Sequence, residues 1–192
     1  KAARKTGRIS SRMAESVTRS LRSVVDFRAV RKVFSSASLT DPALAAAGRD
    51  ALRSDRAQVF AEQVLVTPHN PPQRLIIVGA VHISEALCSM AMAAGYAVTV
   101  IDPRSAFLRP ERFPGVALVN EWPQQAFAQL KPDARTAVVL LTHDPKIDDP
   151  ALLAVLPTQA FYVGALGSTR THAKRLERLA AAGVGEADRA RI

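Results

Sequence analysis

From residue 74 onward the apolar positions fall into short continuous runs, each closed by glycine or a polar turn. Leu75–Gly79 is such a run, uninterrupted by polar residues, as a parallel strand buried on both faces requires. Ala97–Ile101 is a second, β-branched and closed by Asp102-Pro103. Val116–Val119 predicts a weaker strand, and Thr136–Leu141 a strong one closed by Thr142-His143-Asp144-Pro145. Phe161–Val163 predicts the last, closed by Gly164-Ala165-Leu166-Gly167-Ser168. Between these runs the apolar spacing changes to that of helices. Ile83–Ala94 predicts one, stopped by Gly95, and another follows Pro123. Pro150–Leu156 reads as a third, with Asp149 as its N-cap and Pro150 at its first position. A long helix is predicted from about Thr171 to Ala182, ending at Gly183.

Strand–helix alternation with short connections implies βαβ units with right-handed crossovers. The expected fold class is α/β, a doubly wound, mostly parallel Rossmann-like sheet preceded by a short, mainly helical N-terminal region. Residues 1–73 are assigned to that region and residues 74–192 to the sheet domain. Within the first part a helical segment is predicted at Arg12–Val33. A second opens at the N-cap candidate Thr40, with Pro42 just inside, and runs to about Arg53. Gln58–Val66 reads as a strand, and Thr67–Gln73, with three prolines, as a linker.

Charge changes this picture little once it is divided. The net charge is +9, but residues 1–34 hold ten Lys and Arg against two acids, and the remainder sixteen against fifteen. The basicity belongs to an N-terminal arm. That arm has no interleaved aromatics to stack bases, so no nucleic-acid partner is expected. No run of 18 uncharged apolar residues exists, and no apolar segment with a cleavage site follows the basic start. A membrane partner is therefore not expected. The single cysteine, Cys88, forms no internal disulfide, which fits a reducing, cytoplasmic setting.

In an open α/β sheet the ligand lies beyond the carboxyl ends of the strands, so the residues just after each run carry the candidate chemistry. The first cluster is Gly79-Ala80-Val81-His82. A dinucleotide fingerprint wants glycine at 79, 81 and 84; only Gly79 is present, and Val81 sits where a backbone would meet pyrophosphate. The helix start still offers free N–H groups to an anion, and His82 adds a donor or is simply a helix-start residue. The second cluster is Asp102 and Arg104. Asp102 lies 23 positions after Gly79, near the spacing of a ribose-binding carboxylate, and Arg104 matches a phosphate; the alternative is a polar turn. The third is Thr142, His143 and Asp144, which lack any firm zinc spacing. The fourth is Gly164, Gly167, Ser168 and Arg170, a second anion cradle before a helix. Lys174, Arg175 and Arg178 continue along that helix, either extending the cradle or forming its solvated face, and Arg178 is assigned to the solvated face. Asp102 and His143 are expected at the rim, so replacing either with alanine should weaken ligand binding without unfolding the chain. Cys88 reads as a buried small hydrophobe, and no catalytic residue is assigned.

Together these motifs resemble the C-terminal domain of the XdhC/CoxI family, accessory factors of xanthine and carbon monoxide dehydrogenases. The resemblance rests on six ordered blocks: Leu75–Ser84, Val98–Arg104, Pro110–Gly115, Glu121–Pro123, Leu141–Leu152 and Phe161–Leu179. It implies a maturation chaperone that binds molybdenum cofactor, assists its sulfuration by a cysteine desulfurase, and helps insert it into the apo-protein of a molybdoenzyme. The thirteen rim residues above would then be cofactor-binding. A homodimer is left open. Two departures stand out. The family's Ser-Gly-Gly-Cys-Val-Glu type motif has no counterpart in Lys1–Ser38, and the sequence stops at Ile192 where members continue. A fragment or a short member is expected. The runner-up is an NAD(P)-dependent oxidoreductase or nucleotide-binding protein, resting on Gly79 and Asp102. A scaffold that docks an acidic partner through its basic arm is the third reading.

Overall fold

The computed structural model describes residues 41–60 and 64–192. The chain divides into two compact units, residues 1–71 and 72–192. The expected helix at Arg12–Val33 and the cap at Thr40 lie outside the described residues.

In the first unit helix α1 runs over Pro42–Ser54, with Pro42 at its first position. Asp41 is the N-cap: its side chain accepts from the Ala43 N–H at 2.8 Å. The Gln58–Val66 strand is corrected to a hairpin, β1 (Gln58–Phe60) pairing antiparallel with β2 (Val64–Val66). Folding back satisfies the backbone groups at little loop-closure cost, whereas a single strand needs a separate neighbour. Leu44, Ala51 and Val66 are buried together, with Phe60 against them.

The second unit is a five-stranded, wholly parallel sheet in the order β5-β4-β3-β6-β7. Its strands are β3 (Arg74–Val78), β4 (Ala97–Ile101), β5 (Ala117–Val119), β6 (Thr136–Leu140) and β7 (Tyr162–Ala165). Strand alternation divides the core between two faces. Leu75, Ile77, Val98 and Val100 pack on one side with Cys88 and Ala91 of α2 (His82–Ala93), and with Leu108 and Phe113 of the loop after β4. Ile76, Val78, Val138 and Leu140 pack on the other. That side is covered by α3 (Pro123–Leu130), α4 (Pro145–Val155) and α5 (Thr169–Ala181). A short helix α6 (Glu186–Arg189), not expected from the pattern, ends the chain.

The chain thus winds outward from β3 through β4 to β5, then crosses to the other face and returns beside β3 as β6. That reversal makes the carboxyl ends of β3 and β6 the switch point, where such sheets open a crevice.

Helix α4 starts five residues earlier than its expected position. Both Asp144-Pro145 and Asp149-Pro150 have the form of a cap followed by proline, and Asp144 is the one used. Its side chain accepts from the Lys146 N–H at 2.9 Å. Pro150 lies inside the helix and forgoes one backbone bond. Ile147, Ala151, Leu152 and Val155 are all buried, and that apolar face outweighs the lost bond. Two further bounds move slightly. Gly164, expected in a loop, is inside β7 and pairs in register with Val139. Helix α5 begins at Thr169, with Ser168 as its N-cap.

Gly79 holds the switch point together. Its φ is +110°, and a Cβ there would come within 2.6 Å of Thr142 Cγ2 and 3.2 Å of the Thr142 backbone nitrogen. Gly79→Ala should therefore cost about 2–5 kcal/mol, from backbone strain and overpacking together. Chemical denaturation checks this. Adding Thr142→Ser should recover only the steric part, because the backbone strain remains; a Gly79→Ala variant as stable as the parent would refute the close approach.

Candidate functional site

The turn after β3 is fastened to the end of β4 by one carboxylate. Asp102 is fully buried. Its Oδ2 accepts from the Ala80 N–H at 2.8 Å and from Arg104 Nη2 at 2.8 Å. Its Oδ1 accepts from the Arg104 backbone N–H and from Arg104 Nε, both at 2.9 Å. Burial is the largest influence on this carboxyl and pushes it up. The hydrogen bonds from Arg104 and Ala80 together outweigh it, holding the group below the usual aspartate range. The Arg104 guanidinium also lies 4.3 Å from the centre of the Phe107 ring. Asp102 is therefore not an open rim residue, contrary to expectation. Both of its oxygens are occupied from within, so no face of it is turned to a ribose diol.

Val81 is the N-cap of α2, with extended backbone and no side-chain cap. The Ser84 hydroxyl donates back to the Gly79 carbonyl at 2.5 Å, so this serine occupies the helix-packing place of a third glycine. His82 is fully exposed, 3.8 Å from Glu85 Oε1. That carboxylate is itself held by Arg112, whose Nε and Nη2 donate to it at 2.9 and 2.6 Å. A shallow cleft of about 490 Å³ lies beside these residues, between Val81 and His82 on one side and Phe107 and Arg109 on the other.

Across the switch point, the Thr142 hydroxyl donates to Asp148 Oδ1 in a short hydrogen bond and accepts from the Asp144 N–H at 3.3 Å. His143 is exposed, with a left-handed backbone at φ +58°. Asp144 serves α4 as its cap. Asp148, one turn further on, is 2% exposed. Burial is the largest influence on it and pushes its carboxyl above the usual range; Asp149 adds to the rise, while Thr142, Arg175 and His143 oppose it.

Gly167 and Ser168 form the turn into α5, with Ser168 accepting from the Thr171 N–H at 3.2 Å. Arg170 follows, exposed. Of the two readings left open for Arg175, the solvated face is excluded: it is 1% exposed and donates to the carbonyls of Ala165 and Leu166 at 3.3 and 2.9 Å. The solvated-face reading of Arg178 is corrected. Arg178 pairs in two hydrogen bonds with Asp149, at 2.5 and 2.9 Å. Between the first turns of α4 and α5 is a pocket of about 280 Å³. His143, Asp148, Arg170, Lys174, Arg175 and Arg178 all contribute to its wall.

The structure thus gathers the expected residues into two groups. Gly79, Ala80, Val81 and His82 join Asp102 and Arg104 on one flank of the switch point. Thr142, His143 and Asp144 line the other, where His143 and Arg170 meet in one pocket. Gly164 is drawn into the sheet. Asp148, Lys174 and Arg175 are the additions. Spacing carried the signal for two of them: Asp148 shares a helical face with Ala151 and Leu152, and Arg175 lies four residues before the buried Leu179. Among the described residues, no group of three or more His, Cys, Asp or Glu could hold a metal ion. Cys88 is buried, and burial pushes its thiol up to about 11, so it is not a thiolate at neutral pH.

Asp102→Ala should cost about 3 kcal/mol of stability, since it leaves a buried N–H and a guanidinium without their acceptor. Because the folded carboxyl is depressed, its contribution is present above the unfolded value of about 3.9 and is lost as pH falls through the folded value. The parent should therefore lose stability on acidification more steeply than Asp102→Asn. Denaturation midpoints across the acid range check both statements; an alanine variant of parental stability would return Asp102 to the rim.

Comparison with known proteins fits this architecture. The family model of the XdhC Rossmann domain matches residues 75–192. Over 109 residues, 57% of this chain, the sequence is 37% identical to the molybdenum cofactor insertion chaperone PaoD of Escherichia coli, of which it covers 28%. The crystal structure of a protein described as a xanthine dehydrogenase of Bacillus halodurans shares the fold, with a TM-score of 0.56 and 24% identity. That match covers 59% of this chain and 34% of the other, so the chain spans about a third or less of the length of these relatives. With more than half of its residues matched by that family model, the chain belongs to the XdhC family through its Rossmann domain.

Proposed function

We propose that the chain is a molybdenum cofactor maturation factor, which holds the cofactor at the switch point and assists its insertion into a molybdoenzyme apo-protein of the xanthine or carbon monoxide dehydrogenase type. One observation carries the reading. The sheet edge where Gly79 meets Thr142 lies in the segment that the XdhC Rossmann family model matches, and its Asp102 is closed to a ribose. The nicotinamide reading loses its main partner by that geometry, while a pterin with a phosphate tail has no need of a ribose carboxylate.

The donor set fits one end of such a cofactor. His143, the hydroxyls of Thr142 and Ser168, the helix starts and Arg170 are hydrogen-bond donors suited to a polar ring edge and a phosphate. The metal end finds no side-chain ligand set among the described residues. This region would bind and orient the cofactor, and the cofactor alone would supply the redox chemistry of its eventual enzyme. Sulfuration follows the same logic. Cys88 is too buried and too weakly acidic to relay a sulfur atom, so sulfur supplied by a cysteine desulfurase would not pass through this thiol. A single, buried thiol suits the reducing cytoplasm.

The test is retention. Purified chain mixed anaerobically with molybdenum cofactor and passed through a desalting column should carry pterin fluorescence with the protein. His143→Asn, which tolerates the left-handed backbone, should weaken retention by about 10–100-fold, the worth of one charge-assisted bond. Its denaturation midpoint should not move. No retention at micromolar concentration would overturn the reading.

A further inference from the structure

We infer that the pocket between the first turns of α4 and α5 is a site for a phosphate monoester, held by Arg170, Lys174 and Arg175, with Asp148 as the group that sets when it is released. The inference rests on the reading above only for the identity of the molecule that carries the ester.

The first support is an orphaned donor. Arg175 is 1% exposed, and its Nε–H has no hydrogen-bond acceptor among the described residues. Two of its other nitrogens reach backbone carbonyls, and its nearest carboxylate, Asp148, is 3.8 Å away, beyond hydrogen-bond range. A buried guanidinium rarely keeps an unmatched donor, and Arg175 lines the pocket, where an entering acceptor would offer it a partner. The second support is charge. Arg178 on the same wall is already neutralised by Asp149. Arg170 and Lys174 are exposed and have no ion-pair partner among the described residues, so an incoming anion meets these two cations and then the buried one. The third is direction. Helices of 11 and 13 residues both start beside the pocket and turn their positive ends towards it. Donors converging from several directions match a tetrahedral phosphate better than a planar carboxylate.

Asp148 is the exception to this design, because a carboxylate beside an anion repels it. Five groups face it: Thr142 and His143 from the turn after β6, Asp149 from its own helix, and Arg175 and Arg178 from α5, the last already paired with Asp149. Thr142 donates to Oδ1, which leaves Oδ2 to carry a proton. An anion entering the pocket favours the protonated carboxyl, so binding takes up a proton from solvent and loss of that proton expels the ligand. Burial already inclines Asp148 in that direction. Phosphate release is thereby coupled to pH, and to any partner that rehydrates Asp148.

Calorimetric titration of the whole chain with inorganic phosphate tests the site without the cofactor. Sulfate, whose charge is constant from pH 5 to 8, tests the coupling. The double variant Arg170→Ala/Lys174→Ala, altered at exposed positions that leave folding intact, should weaken phosphate binding by at least about tenfold. Sulfate affinity of the parent should rise as pH falls. Asp148→Asn should bind sulfate more tightly at pH 8 and lose most of the pH dependence; His143→Asn separates the imidazole's share. Phosphate binding unchanged in the double variant, or weaker binding by Asp148→Asn, would overturn the inference. Phosphate binding without cofactor retention would sink the cofactor reading alone. Cofactor retention that survives the double variant would sink the phosphate site alone.

Discussion

The four hydrogen bonds on the Asp102 carboxylate tie three parts of the chain into one edge. They pin the Ala80 N–H, and with it the turn after β3, to the end of β4. They also fold Arg104 back over its own strand end. With the turn held there, Gly79 can approach Thr142 closely enough that no Cβ fits, and β3 and β6 stay together where the sheet reverses direction. A carboxylate this buried is tolerable because every lone-pair direction is met, two donors to each oxygen. Its cost to function is equally definite: the group that a dinucleotide-binding sheet would offer to a ribose is occupied by the protein itself.

The two flanks of the switch point consequently differ in character. On the β4 side, charges are matched in pairs, Asp102 with Arg104 and Glu85 with Arg112. On the α4–α5 side Arg178 pairs with Asp149 and Arg175 lies 3.8 Å from Asp148, while Arg170 and Lys174 are exposed without an ion-pair partner among the described residues. A surplus of cations around a buried carboxyl would suit the reversible hold on an anion proposed above.

Much of this edge was legible in the residues alone, because buried parallel strands write themselves as continuous apolar runs ending in polar turns. All five strands of the sheet lie within a few residues of their expected positions, and the four candidate clusters follow β3, β4, β6 and β7 or run into the last of them. The difficulties had physical sources. Asp144-Pro145 and Asp149-Pro150 are equivalent as local signals, and only the buried face of α4 decides between them. Asp102 has the spacing of a ribose ligand, yet its neighbour Arg104 is near enough to close it, and linear spacing does not show which way a guanidinium turns. Arg175 is cationic in a run of cations; its burial follows from standing four residues before Leu179, a relation visible only once the helix is set against the sheet. Gln58–Val66 is apolar throughout, and apolarity does not distinguish one strand from two that pair with each other.

Which flank receives the ligand is the central question, and backbone amide shifts answer it residue by residue. Heteronuclear NMR spectra of the chain, recorded anaerobically with and without molybdenum cofactor, should show shifts at the amides of Gly79–Ser84, Thr142–Lys146 and Gly167–Arg175, with Ala97–Ile101 undisturbed. Shifts confined to other parts of the chain, or none at saturating cofactor, would contradict the account.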